Sequence, residues 1–212
     1  MSMKAADSGY WCKICGVTSS EEASEIVGLG VDSIGLNFYK DSPRCITNQV
    51  AIEIVSSVRD CLKVALFVEP TIDEVEKVLS EVDIDVLQFH GNENKEFCEG
   101  FGKQYIKAIK MGGDSDYGEL EDYHPEAWAI LIDSYVQGVA GGTGKTFDWR
   151  NWPKGSDRRL ILSGGLTAEN VAAGIRETRP FGVDVSSGVE GKHKGVKDIE
   201  LVKKFMQEIR IA

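Results

Sequence analysis

Long apolar runs are missing from this chain: none approaches the roughly 18 residues of a membrane span, so no membrane partner is expected. Positive charge is also scarce. The 24 Lys and Arg stand against 34 Asp and Glu, a formal net charge of -10. Nucleic acid and anionic membranes both require a basic face, so neither is expected as a partner. Only three histidines occur, and no second C-x-x-C or H-x-x-x-H pattern joins them, so neither a metal nor an organic cofactor is expected. Residues 1–10 hold one lysine and no apolar stretch, so no signal peptide is expected there. The five cysteines, Cys12, Cys15, Cys45, Cys61 and Cys98, are odd in number and scattered. That usage fits a reducing, cytoplasmic compartment.

What remains is an ordinary soluble globular composition, 42% hydrophobic and 27% charged, with five prolines. Its 212 residues lie near the lower end for a closed α/β barrel. Eight strand-like runs appear: Trp11–Cys15, Ser33–Phe38, Leu62–Val68, Val86–His90, Tyr105–Lys110, Trp128–Asp133, Arg159–Ser163 and Gly182–Ser186. Apart from the first, most are largely apolar, as expected for parallel strands covered on both faces. Helical patterns fall between them. Thr71-x-x-Glu74 and Thr18-x-x-Glu21 have the form of capping boxes. Ala51, Ile54, Val55 and Val58 share one helical face, as do Ile199, Val202, Phe205, Met206 and Ile209 in a closing helix. The sixth unit is the weakest, with only Phe147–Trp152 able to form a short helix. Eight β-then-α units predict one domain, a (β/α)₈ TIM barrel over residues 11–212 behind an irregular lead-in of residues 1–10. A doubly wound open sheet is the alternative.

In such a barrel the site lies where the strands end. The residues there are Lys13 and Cys15 on the first strand, Arg44 after the second, His90 on the fourth, Asp133 on the sixth, and Asp184 and Ser186 on the eighth. Turn chemistry explains the glycines nearby but not Cys15, Arg44, His90 and Asp133 together. Gly141-Gly142, Gly164-Gly165 and Ser187-Gly188 follow strands six, seven and eight. Such residues let backbone N–H groups approach a phosphate closely. Backbone donors need no net positive charge, which reconciles an anionic ligand with the -10. Gly141-Gly142-Thr143-Gly144-Lys145-Thr146 is too short for a nucleotide-binding P-loop.

Cys12-x-x-Cys15 admits a redox or half-zinc reading. In an extended strand, however, residues three apart face opposite ways, so Cys12 faces the helices while Lys13 and Cys15 face the interior. Gln88 and His90 share a face that lines the site. His124 and His193 fall in loops and are read as surface. Asp133 follows Ala129 and Leu131 on an apolar layer, a setting suited to a general acid or to capping a loop.

Taken together, Lys13–Thr18, Ser42-Pro43-Arg44, Gln88–Gly91, Gly141–Trp149 and Gly182–Glu190 resemble the signature blocks of phosphoribosylanthranilate isomerase, in the family's order. The resemblance spans nearly all the chain after residue 10. Cys45 stands where an aromatic is expected and Phe89 where a leucine is. The resemblance implies a cofactor-free Amadori rearrangement of N-(5-phosphoribosyl)anthranilate to 1-(2-carboxyphenylamino)-1-deoxyribulose 5-phosphate, in tryptophan biosynthesis. It implies Cys15 as general base and Asp133 as general acid. Arg44 would hold the anthranilate carboxylate, with Lys13, His90, Asp184 and Ser186 in the pocket. The partner implied is a small sugar phosphate, and the chain a monomer or homodimer. A related barrel isomerase or epimerase, or a non-catalytic phosphate-binding barrel, would share the phosphate loops but not the pairing of Cys15 with Asp133.

Overall fold

A computed structural model of the chain describes residues 9–110, 120, 122–133, 149 and 152–212. The strands are β1 (Trp11–Cys15), β2 (Ser33–Asn37), β3 (Leu62–Phe67), β4 (Val86–Phe89), β5 (Tyr105–Lys110), β6 (Ala129–Asp133), β7 (Leu160–Ser163) and β8 (Gly182–Val185). They pair in parallel in chain order, and β1 pairs with both β2 and β8. The sheet therefore closes on itself, and the open-sheet alternative falls.

Strand parity explains why these sequences make a barrel. Trp11, Val64, Val86, Ile106, Leu131 and Ile161 fill the interior as one apolar cluster. Ile14, Ile34, Leu87, Ile130, Leu162 and Val183 pack in the other cluster, between strands and helices. Both faces are apolar because both are covered. Phe38, His90 and Ser186, expected inside strands, fall one residue beyond the observed ends. His90 and Ser186 thus stand at the rim rather than in a ladder.

The helices are α1 (Ser20–Val27), α2 (Asn48–Ser57), α3 (Ile72–Glu81), α4 (Lys95–Glu99), α5 (Val171–Thr178) and α6 (Ile199–Arg210). Thr71 and Glu74 form the expected capping box of α3. At α1 the cap moves by one residue: Ser19 accepts from the Glu22 amide. The Glu22 carboxylate instead takes the Thr18 amide at 2.7 Å and the Lys197 amide at 2.5 Å. The short α4 has no counterpart among the helices expected from periodicity. The helix expected over Phe147–Trp152 lies outside the described residues except at Trp149 and Trp152. No helix among the described residues is long and apolar enough to cross a membrane.

The N-terminal mouth of the barrel is plugged by aromatics. The Trp11 ring meets Trp128 at 5.4 Å and Phe181 at 6.3 Å. A side chain at Gly182 would overlap the backbone and ring of Trp11, so glycine there makes room for the plug. His124, read from the sequence as surface, is buried: its ring lies against Tyr105, with Tyr105 Oη 3.3 Å from Nδ1. Arg158 binds the carbonyls of Leu120, Tyr123 and His124 and folds that loop onto the barrel, a tertiary effect no local pattern carries. His193 is exposed.

Candidate active site

At the C-terminal end of the barrel a cavity of about 530 Å³ gathers Cys15, Arg44, His90, Asp133, Asp184 and Ser186 from five different strands or the loops that follow them. Ser163, Gly164, Gly165, Ser187 and Gly188 line the same space. Gly141 and Gly142, assigned to phosphate from the sequence, lie outside the described residues.

Cys15 ends β1 pointing inward and is 6% exposed. Cys12 belongs to the outer core and is fully buried. The two thiols therefore face opposite sides of one strand. Burial pushes the Cys15 thiol above its ordinary value, and the ammonium of Lys13 pulls it part of the way back. Lys13 sits one inward step below and pairs with Asp184 at 2.8 Å. Burial works against the Lys13 charge, but Asp184 and Cys15 outweigh it and hold Lys13 above its usual range. Lys13 is 0% exposed and does not line the cavity. Expected from the sequence as a ligand to substrate, it lies instead beneath the floor.

On the opposite wall His90 bridges two strands. Gln88 Nε2 lies 3.2 Å from His90 Nδ1, and His90 Nε2 lies 3.2 Å from Asp133 Oδ2. If Gln88 donates, His90 carries its proton at Nε2 and donates to Asp133. The buried Gln88 thus fixes the ring that orients the carboxyl.

The loops after β7 and β8 owe their shape to close contact. Gly164 and Gly165 both have positive φ, +87° and +63°, a region that favours glycine. Asn170 braces their loop: Nδ2 donates to Gly165 O at 2.9 Å and Oδ1 accepts from the Thr167 amide at 2.8 Å. A Cβ on Gly188 would overlap the Leu166 carbonyl, so the loops after β7 and β8 touch only because residue 188 has no side chain.

Two groups important to this geometry were not singled out from the sequence. Glu190, just past a 3₁₀ turn over Ser187–Val189, takes the Nε and Nη2 hydrogens of Arg44 at 2.5 and 2.9 Å. It also accepts from Lys197 Nζ at 3.0 Å. Burial pushes the Glu190 carboxyl up, but Arg44 and Lys197 outweigh it and hold it down at about 2. On the outer face, Lys107 Nζ reaches Gly91 O at 2.7 Å and Glu93 Oε2 at 3.1 Å. Glu93 in turn accepts from the Glu69 and Gly91 amides. This buried pair ties together the loops flanking His90. A lysine inside an apolar strand, Lys107 in Tyr105–Lys110, was the available signal. Lys197 in a polar loop gave none.

Such a cavity can hold a phosphate on backbone groups, a carboxylate on an arginine, and a sugar between a thiol and a carboxyl. The family model described as N-(5'phosphoribosyl)anthranilate (PRA) isomerase matches residues 12–208. An N-(5'-phosphoribosyl)anthranilate isomerase of Nitrosococcus oceani is 45% identical over 198 residues, covering 93% of this chain and 96% of its own. The crystal structure of phosphoribosyl anthranilate isomerase from Thermotoga maritima superposes with a TM-score of 0.87 at 36% identity, covering 96% of this chain and all of that one. A second solved phosphoribosyl anthranilate isomerase, in complex with reduced 1-(o-carboxyphenylamino)-1-deoxyribulose 5-phosphate, superposes at 0.80 with 32% identity, again over 96% and 100%. With a family match running from the first strand into the last helix, this chain belongs to the N-(5'-phosphoribosyl)anthranilate isomerase family.

Proposed function

We propose that Cys15 is the general base and Asp133 the general acid of this enzyme. The chain is a phosphoribosylanthranilate isomerase of tryptophan biosynthesis, converting N-(5-phosphoribosyl)anthranilate to 1-(2-carboxyphenylamino)-1-deoxyribulose 5-phosphate. The observation that supports the assignment of roles is the placement of Cys15 and Asp133 on one cavity with the phosphate loops.

In this reading the phosphate rests on backbone groups of Gly164, Gly165, Ser187 and Gly188, and Gly141 and Gly142 contribute from their loop. Arg44 receives the anthranilate carboxylate. Glu190 occupies its Nε–Nη2 edge, so the carboxylate takes the Nη1 side. Asp133, oriented by His90, gives its proton to the furanose ring oxygen. The C1–O bond breaks as the anilino nitrogen forms a Schiff base with C1. Cys15 thiolate then removes the C2 proton, the electrons flowing to nitrogen and giving an enolamine. A proton added at C1 and one lost from the C2 hydroxyl complete the ketone. Asp184 and Ser186 border the sugar, while Lys13 serves from below through Cys15 and Asp184.

Asp133→Asn is nearly isosteric and tests the acid. Turnover, followed by loss of substrate fluorescence, should drop about 10²–10⁴-fold with thermal unfolding unchanged. Near wild-type turnover would remove Asp133 from the mechanism.

A further inference from the structure

Lys197 lies in the loop between the 3₁₀ turn and α6, fully buried and one residue before the N-cap of that helix. A buried ammonium is costly unless it is well bonded. Here its Nζ reaches Ser186 O at 3.2 Å, Ser186 Oγ at 3.3 Å and Glu190 Oε1 at 3.0 Å. Ser186 Oγ donates to the carbonyl oxygen of Cys15 at 2.9 Å. Glu190 holds Arg44. One buried cation thus stands between the carboxylate clamp and the strand end that carries the thiol. Its own backbone amide is anchored on Glu22.

We propose that Lys197 is a positioning residue for the isomerisation, orienting Arg44 through Glu190 and standing with Lys13 as the second buried cation beside the strand end that carries Cys15. The proposal rests on the reading of Cys15 as the base. The charged groups facing that thiol are Lys13 on its own strand, Asp184 on β8 and Lys197 on the following loop. Lys13 is neutralised by Asp184 at 2.8 Å, and Lys197 by a Glu190 that it shares with Arg44. The second cluster holds two cations, Arg44 and Lys197, for one anion, and reaches the Cys15 carbonyl through Ser186. Burial holds Lys197 below its ordinary value, with Glu190 and then Cys15 acting the other way.

The test reads the thiol directly. Alkylation of Cys15 by iodoacetamide, followed at its own peptide by mass spectrometry, gives the pH midpoint without substrate. Lys197→Met should raise that midpoint by about one unit, the lower end of what a nearby opposite charge contributes. Lys197→Arg keeps the charge and should stay near wild type, which a purely structural role would not give. Lys197→Met should also raise KM by loosening Arg44, beyond its effect on kcat. An unchanged midpoint in folded Lys197→Met overturns the proposal. If that variant does not fold, the reciprocal measurement decides, because the coupling is mutual. Lys197 titration, followed by NMR of ¹³C-labelled lysine, should move to lower pH in Cys15→Ala, and an unmoved titration overturns the proposal. Turnover of Cys15→Ala separates the two readings. Retained turnover means that Cys15 is not the base, whereas lost turnover with an unmoved midpoint in Lys197→Met removes only the role of Lys197.

Discussion

Cys15 stands under two opposed influences. Burial favours the neutral thiol, and the lysine beneath it favours the thiolate. The net shift is upward, so at neutral pH the neutral thiol predominates and the reactive thiolate is the minor form. The sign follows directly. A base must be deprotonated to act, so kcat/KM should climb as pH rises, with its ascending limb centred above the ordinary thiol value. A limb that levels off below pH 7 would show that another group is the base. Arg44 offers a second prediction. Glu190 already holds one edge of its guanidinium, and the planar fork can serve two carboxylates at once. Arg44→Lys keeps the charge and loses the fork. KM should rise by about tenfold or more, the worth of one charge-assisted hydrogen bond, with a smaller change in kcat. Equal KM values would place the anthranilate carboxylate elsewhere.

The elements matter mainly through what their ends bring together. The loops after β7 and β8 meet where Gly188 passes the Leu166 carbonyl. Gly188→Ala must push them apart, so KM and the inhibition constant for inorganic phosphate should rise together. Tight phosphate inhibition in that variant would mean the phosphate sits on other loops. Strand parity made much of this legible in advance. Alternation along Trp11–Cys15 alone separates the outward Cys12 from the inward Cys15, because a packed strand offers only two faces. The capping box at Thr71 was equally plain, since its signal is local. Legibility failed where the decisive partner is distant in sequence. Nothing near His124 announces that Arg158 folds it inward. Nothing near Lys197 announces Ser186 and Glu190, and Lys13 reads as a ligand until Asp184 is seen beside it. The capping box expected from Thr18 and Glu21 failed for the same reason, the cap falling on Ser19. The carboxylate next to Glu21, that of Glu22, bonds the amides of Thr18 and Lys197, the latter 175 residues away.

For the molecule as a whole, the proposed phosphate site reconciles a net charge of -10 with an anionic substrate, because its donors would be local backbone groups. A barrel also couples stability to pH through its buried titratable groups. His124 is held neutral, its pKa lowered to about 4 chiefly by burial, with Lys107 adding to the shift. In the unfolded chain it titrates near ~6.5. The unfolded state therefore binds the extra proton first as pH falls, and stability should decline between about 6.5 and 4, by no more than about 3 kcal/mol from this group. Denaturant unfolding at several pH values should show that slope, and His124→Gln should flatten it. An unchanged slope would assign the acid sensitivity to other groups. The central claim is that one inward thiol on β1 performs the proton abstraction. It is tested most directly by turnover of phosphoribosylanthranilate in purified wild type, Cys12→Ala and Cys15→Ala. The account predicts turnover in wild type and near wild-type turnover in Cys12→Ala, whose lost sulfur costs only about 1–2 kcal/mol of stability. It predicts a fall of at least ~10²-fold in Cys15→Ala. Equal losses in the two variants, or undiminished turnover in Cys15→Ala, would contradict it.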